Sequence, residues 1–284
     1  MALDRKSADL HVHTTASDGS LRPAQVVERA HAVGLAAIGI ADHDTVDGIV
    51  EAVSAGERLG VEVVPAVEIN TDVPGKEAHI LGYFIDIECG DLHKELARLR
   101  EARLRRGEEM VARLREAGVP VTMERVLEIA DGAPIARPHV ARAIIETGAV
   151  RSLASAFGRF LIPGAPGYVA RYKFSPAQAI QVVRAAGGVA CLAHPGKDSL
   201  EDLLPELVAA GLRAVEVYHI DHTPAIARRF SALARRYGLV STGGSDSHGP
   251  DAVKSVEIGQ VTVGWEVVED LREAARRGRT GRML

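Results

Sequence analysis

The sequence predicts an α/β fold: a small barrel of mostly parallel strands with a helical insertion set into it. Three observations carry this. Short runs of β-branched or aliphatic residues alternate with longer stretches of helical periodicity, as in βα units. The runs number seven. Between residues 91 and 175 the alternation stops and only helical patterns remain.

Residues 8–12 form the first apolar run. Pro23 then opens a helix that closes near Gly34, the proline-start and glycine-stop arrangement expected of helix ends. Residues 36–40 read as the second strand, 47–59 as the second helix, and 61–66 and 78–85 as strands three and four. Asp72, Val73, Pro74 and Gly75 can turn residues 68–85 into an antiparallel hairpin. From residue 91 a helix rich in arginine and glutamate runs to about residue 117. Helical patterns follow at 123–130 and 138–146, then a stretch rich in glycine and proline at 163–167. The strand rhythm resumes at 188–193, 214–218 and 239–242, with a helix at 224–237 stopped by Gly238. The expected division is a barrel of residues 1–90 and 176–284 and an insertion of residues 91–175. An insertion of that length is commonly a lid or a functional appendage.

A chain of 284 residues with 46% hydrophobic content can bury a full core, which excludes disorder. The net charge of -4 gives no global affinity for polyanions, so any phosphate affinity must be local. Cys89 and Cys191 lack framework spacing and are expected to be free thiols in a reducing compartment. No apolar run reaches the ~18 residues of a membrane span, and no signal-peptide core precedes the first strand, so a cytoplasmic location is expected.

The first strand ends in His11, Val12 and His13. Alternation points residues i and i+2 to one face, so both imidazoles can meet one cation. Asp42 and His43 end the second strand, Glu68 follows the third, His194 ends the fifth, His219 follows the sixth, and Asp246 and His248 follow the seventh. Parallel barrels gather their functional loops at these carboxyl ends. His79 begins its strand and reaches the same rim only if the hairpin forms. Buried imidazoles and carboxylates in such numbers are costly without a compensating cation. Nitrogen and oxygen donors without cysteine suit Zn, Mn or Fe(II).

Together the segments ADLHVHTTASDG, ADHDT, PAVEIN, EAHILGYF, CLAHPG and GGSDSH resemble the polymerase and histidinol phosphatase (PHP) family of metal-dependent phosphoesterases, over residues 9–248. The resemblance implies a distorted (β/α)7 barrel and two to three divalent metal ions. It implies that His11, His13, Glu68 and Asp246 hold one ion and that Glu68 bridges to a second held by His79 and His194. Asp18, His43 and His248 would hold the third. Three divalent ions and three carboxylates leave a charge of about +3, suited to a phosphate ester and the negative charge that develops in its hydrolysis. On this reading a metal-bridging hydroxide attacks phosphorus in line. Asp42 and His222 are the candidates for leaving-group acid, with Asp42 alternatively a partner that orients His43.

Substrate contacts are expected between the rim and the insertion. Arg137, Pro138 and His139 open a helix whose N–H groups, arginine fork and imidazole can receive a second phosphate. Lys197, Arg171 with Tyr172, and His219 are further candidates, and Glu216 is a supporting group. His31 and His93 read as solvated. The mixed charges of the long helix read as a wet face and not as a surface for duplex nucleic acid, and aromatic residues are only 4% of the chain.

Family members with an Arg-Pro-His segment in the insertion act on nucleoside 3′,5′-bisphosphates such as pAp, or trim short oligonucleotides from the 5′ end. The resemblance therefore implies a phosphorylated small molecule, a nucleotide or a short single-stranded oligonucleotide as partner, without duplex or membrane. A small-metabolite phosphatase such as histidinol phosphatase is the alternative. A non-catalytic metal domain like those attached to some DNA polymerases fits less well, because the ligand set is full. An amidohydrolase would more often use a bridging lysine, and none stands at the relevant strand ends.

Overall fold

The structure is a computed structural model that describes residues 6–73, 76–170, 172–252 and 255–280. Its strands are β1 (Ser7–Val12), β2 (Ala37–Ile40), β3 (Glu62–Val73), β4 (Lys76–Tyr83), β5 (Val189–Leu192), β6 (Ala214–His219), β7 (Val240–Gly244) and β8 (Val263–Gly264). They form one sheet in the order β7-β6-β5-β4-β3-β2-β1-β8. β1, β2 and β3 pair in parallel, as do β5, β6 and β7, whereas β4 runs antiparallel to both of its neighbours. β2 and β5 are buried along their whole length, as expected of strands covered on both faces.

The sheet curls until β7 meets β1 at the carboxyl-end rim. Asp246 N donates to His11 O at 2.8 Å, and His13 N donates to Ser247 O at 2.9 Å. Gly244 makes that approach possible. A Cβ there would lie 2.4 Å from His11 Cβ, so no side chain fits.

The helices are α1 (Pro23–Ala32), α2 (Ile49–Leu59), α3 (Gly90–Glu116), α4 (Met123–Ala130), α5 (Arg137–Glu146), α6 (Leu153–Ala156), α7 (Pro176–Ala185), α8 (Leu204–Ala210), α9 (Pro224–Tyr237) and α10 (Trp265–Thr280). Proline stands in the first turn of α1, α7 and α9, and the side chains of Ser175 and Thr223 cap the last two. Among the described residues no helix is long and apolar enough to cross a membrane.

One apolar cluster packs Val26, Ile49, Ile180 and Phe230 of the outer helices against Ile38, Ile69 and Leu192 of the strands. A second joins Leu10, Leu81 and Tyr83 to Val268 and Leu271 of α10. A third, including Met110, Leu114, Val126, Val140, Ile144 and Leu161, belongs to α3–α6 and their loops. α3 takes part in two of them: Leu92, Leu96 and Leu99 pack with the strands, Met110 and Leu114 with the other helices.

Two features differ from expectation. β3 continues to Val73 because its second half pairs with β4, Glu68 opposite Leu81 and Asn70 opposite His79. Its hairpin turn, with Pro74 and Gly75, lies outside the described residues. The chain also ends in an element that strand rhythm does not announce: β8 is two residues long and edges β1, and α10 follows it directly.

Candidate metal centre

β1 delivers His11 and His13 with their Nε2 atoms 3.2 Å apart. Asp246 Oδ1 lies 3.5 Å from the first and 3.2 Å from the second, and Glu68 Oε2 lies 3.4 and 3.3 Å away. Glu68 faces two ways. Its Oε2 is also 3.0 Å from His43 Nδ1, while its Oε1 is 2.8 Å from His79 Nδ1 and 3.0 Å from His194 Nε2. β4 brings His79 there because it runs antiparallel to β3, so the amino-terminal half of that strand reaches the carboxyl-end rim. On the far side His248 Nε2 stands 3.4 Å from Asp18 Oδ1.

Three groups of donors result, each with its atoms within 4.8 Å of one another: His11, His13, Glu68 and Asp246; Glu68, His79 and His194; His13, Asp18, His43 and His248. The groups share His13 and Glu68. Buried donors with nothing to bind test whether cations fit: His13 Nδ1, Asp18 Oδ1 and Glu68 Oε2 have no hydrogen-bond partner. Glu68 Oε2 is close to three imidazoles, yet none is aligned to donate to it, so the lone pairs converge on common points.

The electrostatics agree. Burial pushes Glu68, Asp246 and Asp18 up, but the surrounding histidines prevail and hold all three well below the ordinary carboxylate range. Burial also opposes charge on His13, which Asp246 and Glu68 nonetheless hold at about 10. Burial pushes His194 down to about 4. Ionised carboxylates among imidazoles that cannot all be protonated make a pocket suited to divalent cations. His194 and Asp246 also sit at left-handed φ, 27° and 56°, a strained backbone of the sort that collects at functional sites.

A second row orients the first. Glu216 Oε1 accepts from His11 Nδ1 at 3.0 Å and its Oε2 accepts from His194 N at 2.7 Å. His219 Nδ1 accepts from Asp221 N, which puts the ring proton on Nε2, 3.2 Å from Asp246 Oδ2. His219 therefore stands behind a carboxylate, away from the position of a substrate contact.

The other expected residues divide. Arg137 and Lys197 line the cavity of about 280 Å³ that opens onto Asp18, His43, Glu68 and His194. Lys197 Nζ is 3.1 Å from Asp246 Oδ2 and 3.4 Å from Asp221 Oδ2. His139 is not brought to that cavity. Its Nδ1 accepts from Ala136 N at 3.2 Å and its other edge meets the backbone of Ser17, so it caps α5 and ties it to the loop after β1. Asp42 is turned away as well, accepting from Thr14 N, Thr14 Oγ1 and Ser17 Oγ at 2.5–2.7 Å. His222 donates from Nδ1 to Val217 O and accepts at Nε2 from Gly196 N, leaving neither nitrogen for a substrate. Arg171 lies outside the described residues.

Sequence reasoning passed over Arg103, Arg106 and Asn70. Arg103 Nε is 2.6 Å from Asp44 Oδ2, and both arginines line the cavity, so this stripe of α3 faces the rim and not solvent. Asn70 Nδ2 is 3.0 Å from His43 Nδ1. The signal was the threefold spacing of Arg100, Arg103 and Arg106, which sets them along one helix face.

The PHP domain family model matches residues 9–123. The chain is 35% identical over 248 residues to the 3′,5′-nucleoside bisphosphate phosphatase of Chromobacterium violaceum, covering 85% of this chain and 87% of the relative. It is 37% identical over 249 residues to the 5′-3′ exoribonuclease Rnm of Escherichia coli, covering 85% of each. The crystal structure of a Bifidobacterium adolescentis protein superimposes with a TM-score of 0.87 at 31% identity, covering 94% of this chain and 95% of that one.

Proposed function

The chain belongs to the PHP-domain family, and from that premise we propose a metal-dependent phosphoesterase of nucleotides. Its substrates are nucleoside 3′,5′-bisphosphates such as pAp, the 5′ ends of short single-stranded oligonucleotides, or both. One observation carries the reading: the cavity of about 280 Å³ is lined by one set of groups, Asp18, His43, Glu68, His79, His194, Asp246 and His248, and by a second set, Arg103, Arg106, Arg137 and Lys197, with Glu77 3.8 Å from Arg137 and Asp198 as the further carboxylates. A substrate that reaches from one to the other carries a phosphate beyond the reacting one. The relatives from Chromobacterium violaceum and Escherichia coli are named for a bisphosphate and for RNA.

In this reading His11, His13, Glu68 and Asp246 hold one ion of Mn, Zn or Fe, Glu68, His79 and His194 a second, and Asp18, His43 and His248 a third, the donor groups described above. Bound ions supply an activated water and neutralise charge on the phosphoryl oxygens. The chain's own residues do the rest. Glu216 keeps the proton of His11 on Nδ1, and His219 holds Asp246 through Oδ2 so that Oδ1 turns inward. Arg137 receives the second phosphate. Burial lowers Lys197, but Asp246 and Asp221 hold it above the ordinary lysine value, so it brings a fixed positive charge to the reacting end. Asp42 and His222 are committed to structural hydrogen bonds, and the leaving oxygen takes its proton from water. Residues 91–175 act as a lid that supplies three of the four cations and sheds bulk water.

The test is phosphate release with Mn, Zn or Mg from pAp, mononucleotides, short RNA and DNA, and histidinol phosphate, with His13→Ala as control. Release from pAp or the oligonucleotides is expected. Release from histidinol phosphate alone overturns the reading.

A further inference from the structure

Three cavities adjoin along one side of α3. The one at the metal centre ends at Asn70, Arg103 and Arg106. The same residues, with Ala102 and Tyr172, line a neck of about 30 Å³. Ala102, Arg106 and Tyr172 in turn border an outer cavity of about 360 Å³ that also carries Arg98 and Arg105. Arg106 thus borders all three, its Nε fixed on Val169 O at 2.8 Å. At the outer end Tyr172 stands 43% exposed. Arg98 donates to its hydroxyl, with the guanidinium carbon 5.4 Å from the ring centroid, and so holds the ring by its hydroxyl edge. An aromatic ring exposed to this extent and held by its hydroxyl edge offers stacking surface to a flat ligand. Glu101 and Glu109 also border the outer cavity, but they pair with Arg105 and Arg113 at 2.6 and 2.5 Å, and Arg98 lies 3.6 Å from Glu95. Arg106 is the cation that continues from the inner cavity into the outer one.

We infer that this groove is the path of the nucleotides that follow the reacting one in a single-stranded chain. The chain leaves the metal centre over Arg106, turns a phosphate to Arg106, and stacks a base on the exposed surface of Tyr172. Arginine for the backbone and an aromatic ring for the base is the combination that binds single strands without reading their sequence. The length fits. From Arg98 to Arg106 α3 advances about 12 Å, against a rise of about 3.4 Å per stacked nucleotide. The inference rests on the nucleotide reading above and deepens it, making an oligonucleotide, and not a bisphosphate alone, the molecule for which the site is built.

The experiment compares Tyr172→Ala and Tyr172→Phe with the parent chain, measuring kcat/KM on pAp and on a 5′-phosphorylated RNA pentamer. Tyr172→Ala is expected to lower kcat/KM on the pentamer roughly 5- to 150-fold, mostly through KM. Turnover of pAp should change by less than about twofold, because Tyr172 lies outside the inner cavity. Tyr172→Phe keeps the ring and should restore the pentamer. Equal losses on both substrates, or no loss on the pentamer, overturn the groove while leaving the nucleotide reading intact. A parent chain that hydrolyses neither substrate overturns the nucleotide reading, and the groove with it.

Discussion

Replacing Glu216 by glutamine asks whether the second row of the site decides what the first can bind. Glu216 is fully buried and accepts from His11 Nδ1 at 3.0 Å and from His194 N at 2.7 Å. Burial pushes this carboxyl up, but His11 holds it below the ordinary value, so it is an ionised double acceptor. Glutamine keeps the shape and has one acceptor. The backbone N–H of His194 cannot change its role, so the amide oxygen goes to it and the NH2 group faces His11. His11 must then accept at Nδ1 and carry its proton on Nε2, the atom that faces Asp246 Oδ1 and Glu68 Oε2 at 3.5 and 3.4 Å. A protonated Nε2 has no lone pair for an ion. Loss of an outer partner of this kind weakens metal affinity roughly 10- to 100-fold, or about 1.4–2.7 kcal/mol. The assay is a competition titration of Zn or Mn against a chelator of known affinity, with thermal unfolding run beside it to show that the variant folds. A Glu216→Gln protein that binds metal as tightly as the parent would refute the proton-placement argument, since a role in shape alone predicts that glutamine is neutral and alanine harmful.

Arg137→Ala should raise KM for a nucleoside bisphosphate about tenfold or more, the worth of one charged hydrogen bond, and affect mononucleotides far less; equal losses would count against a second phosphate at Arg137. Asp42→Ala leaves three donors unpaired, two of Thr14 and one of Ser17, and should lower stability to denaturant by roughly 2–5 kcal/mol. An inactive Asp42→Ala protein of unchanged stability would instead return Asp42 to the chemistry. Burial pushes the Cys191 thiol well above its ordinary value, whereas Cys89 is half-buried, so a thiol reagent should modify one cysteine in the native protein and both after unfolding. Stripping bound metal with a chelator should lower Tm, by the equivalent of about 2.7 kcal/mol when the free ion had stood at a hundred times its Kd. A Tm indifferent to both chelator and added metal would show that the donor groups bind nothing.

The strand-end donors could be read from the chain because each is set by local geometry. His11 and His13 are two apart in a strand, and Asp246 and His248 follow the last parallel strand at the point where it meets the first. His79 needed one topological step, the reversal of β4, which its turn residues announce. Orientation was harder. Whether Asp42 turns toward its neighbour His43 or away depends on Thr14 and Ser17, 28 and 25 positions distant, and nothing in the local pattern says which. His139 looked like an anion contact because it opens a helix, yet the N-cap before it is Ala136, which has no side-chain acceptor, and the ring took over the capping. The arginines of α3 show the same limit from the other side. Arg103 and Arg105 are indistinguishable by composition, but the helix turn sends Arg103 to Asp44, 59 positions away, and leaves Arg105 on the outer cavity. On the proposed reading, donors for metal follow from where strands end and where β3 pairs with β4, and cations for substrate from how α3, α5 and the loop after β5 stand over them. Substitutions along α3 and α5 should accordingly change which phosphate ester is cleaved before they change whether one is cleaved at all.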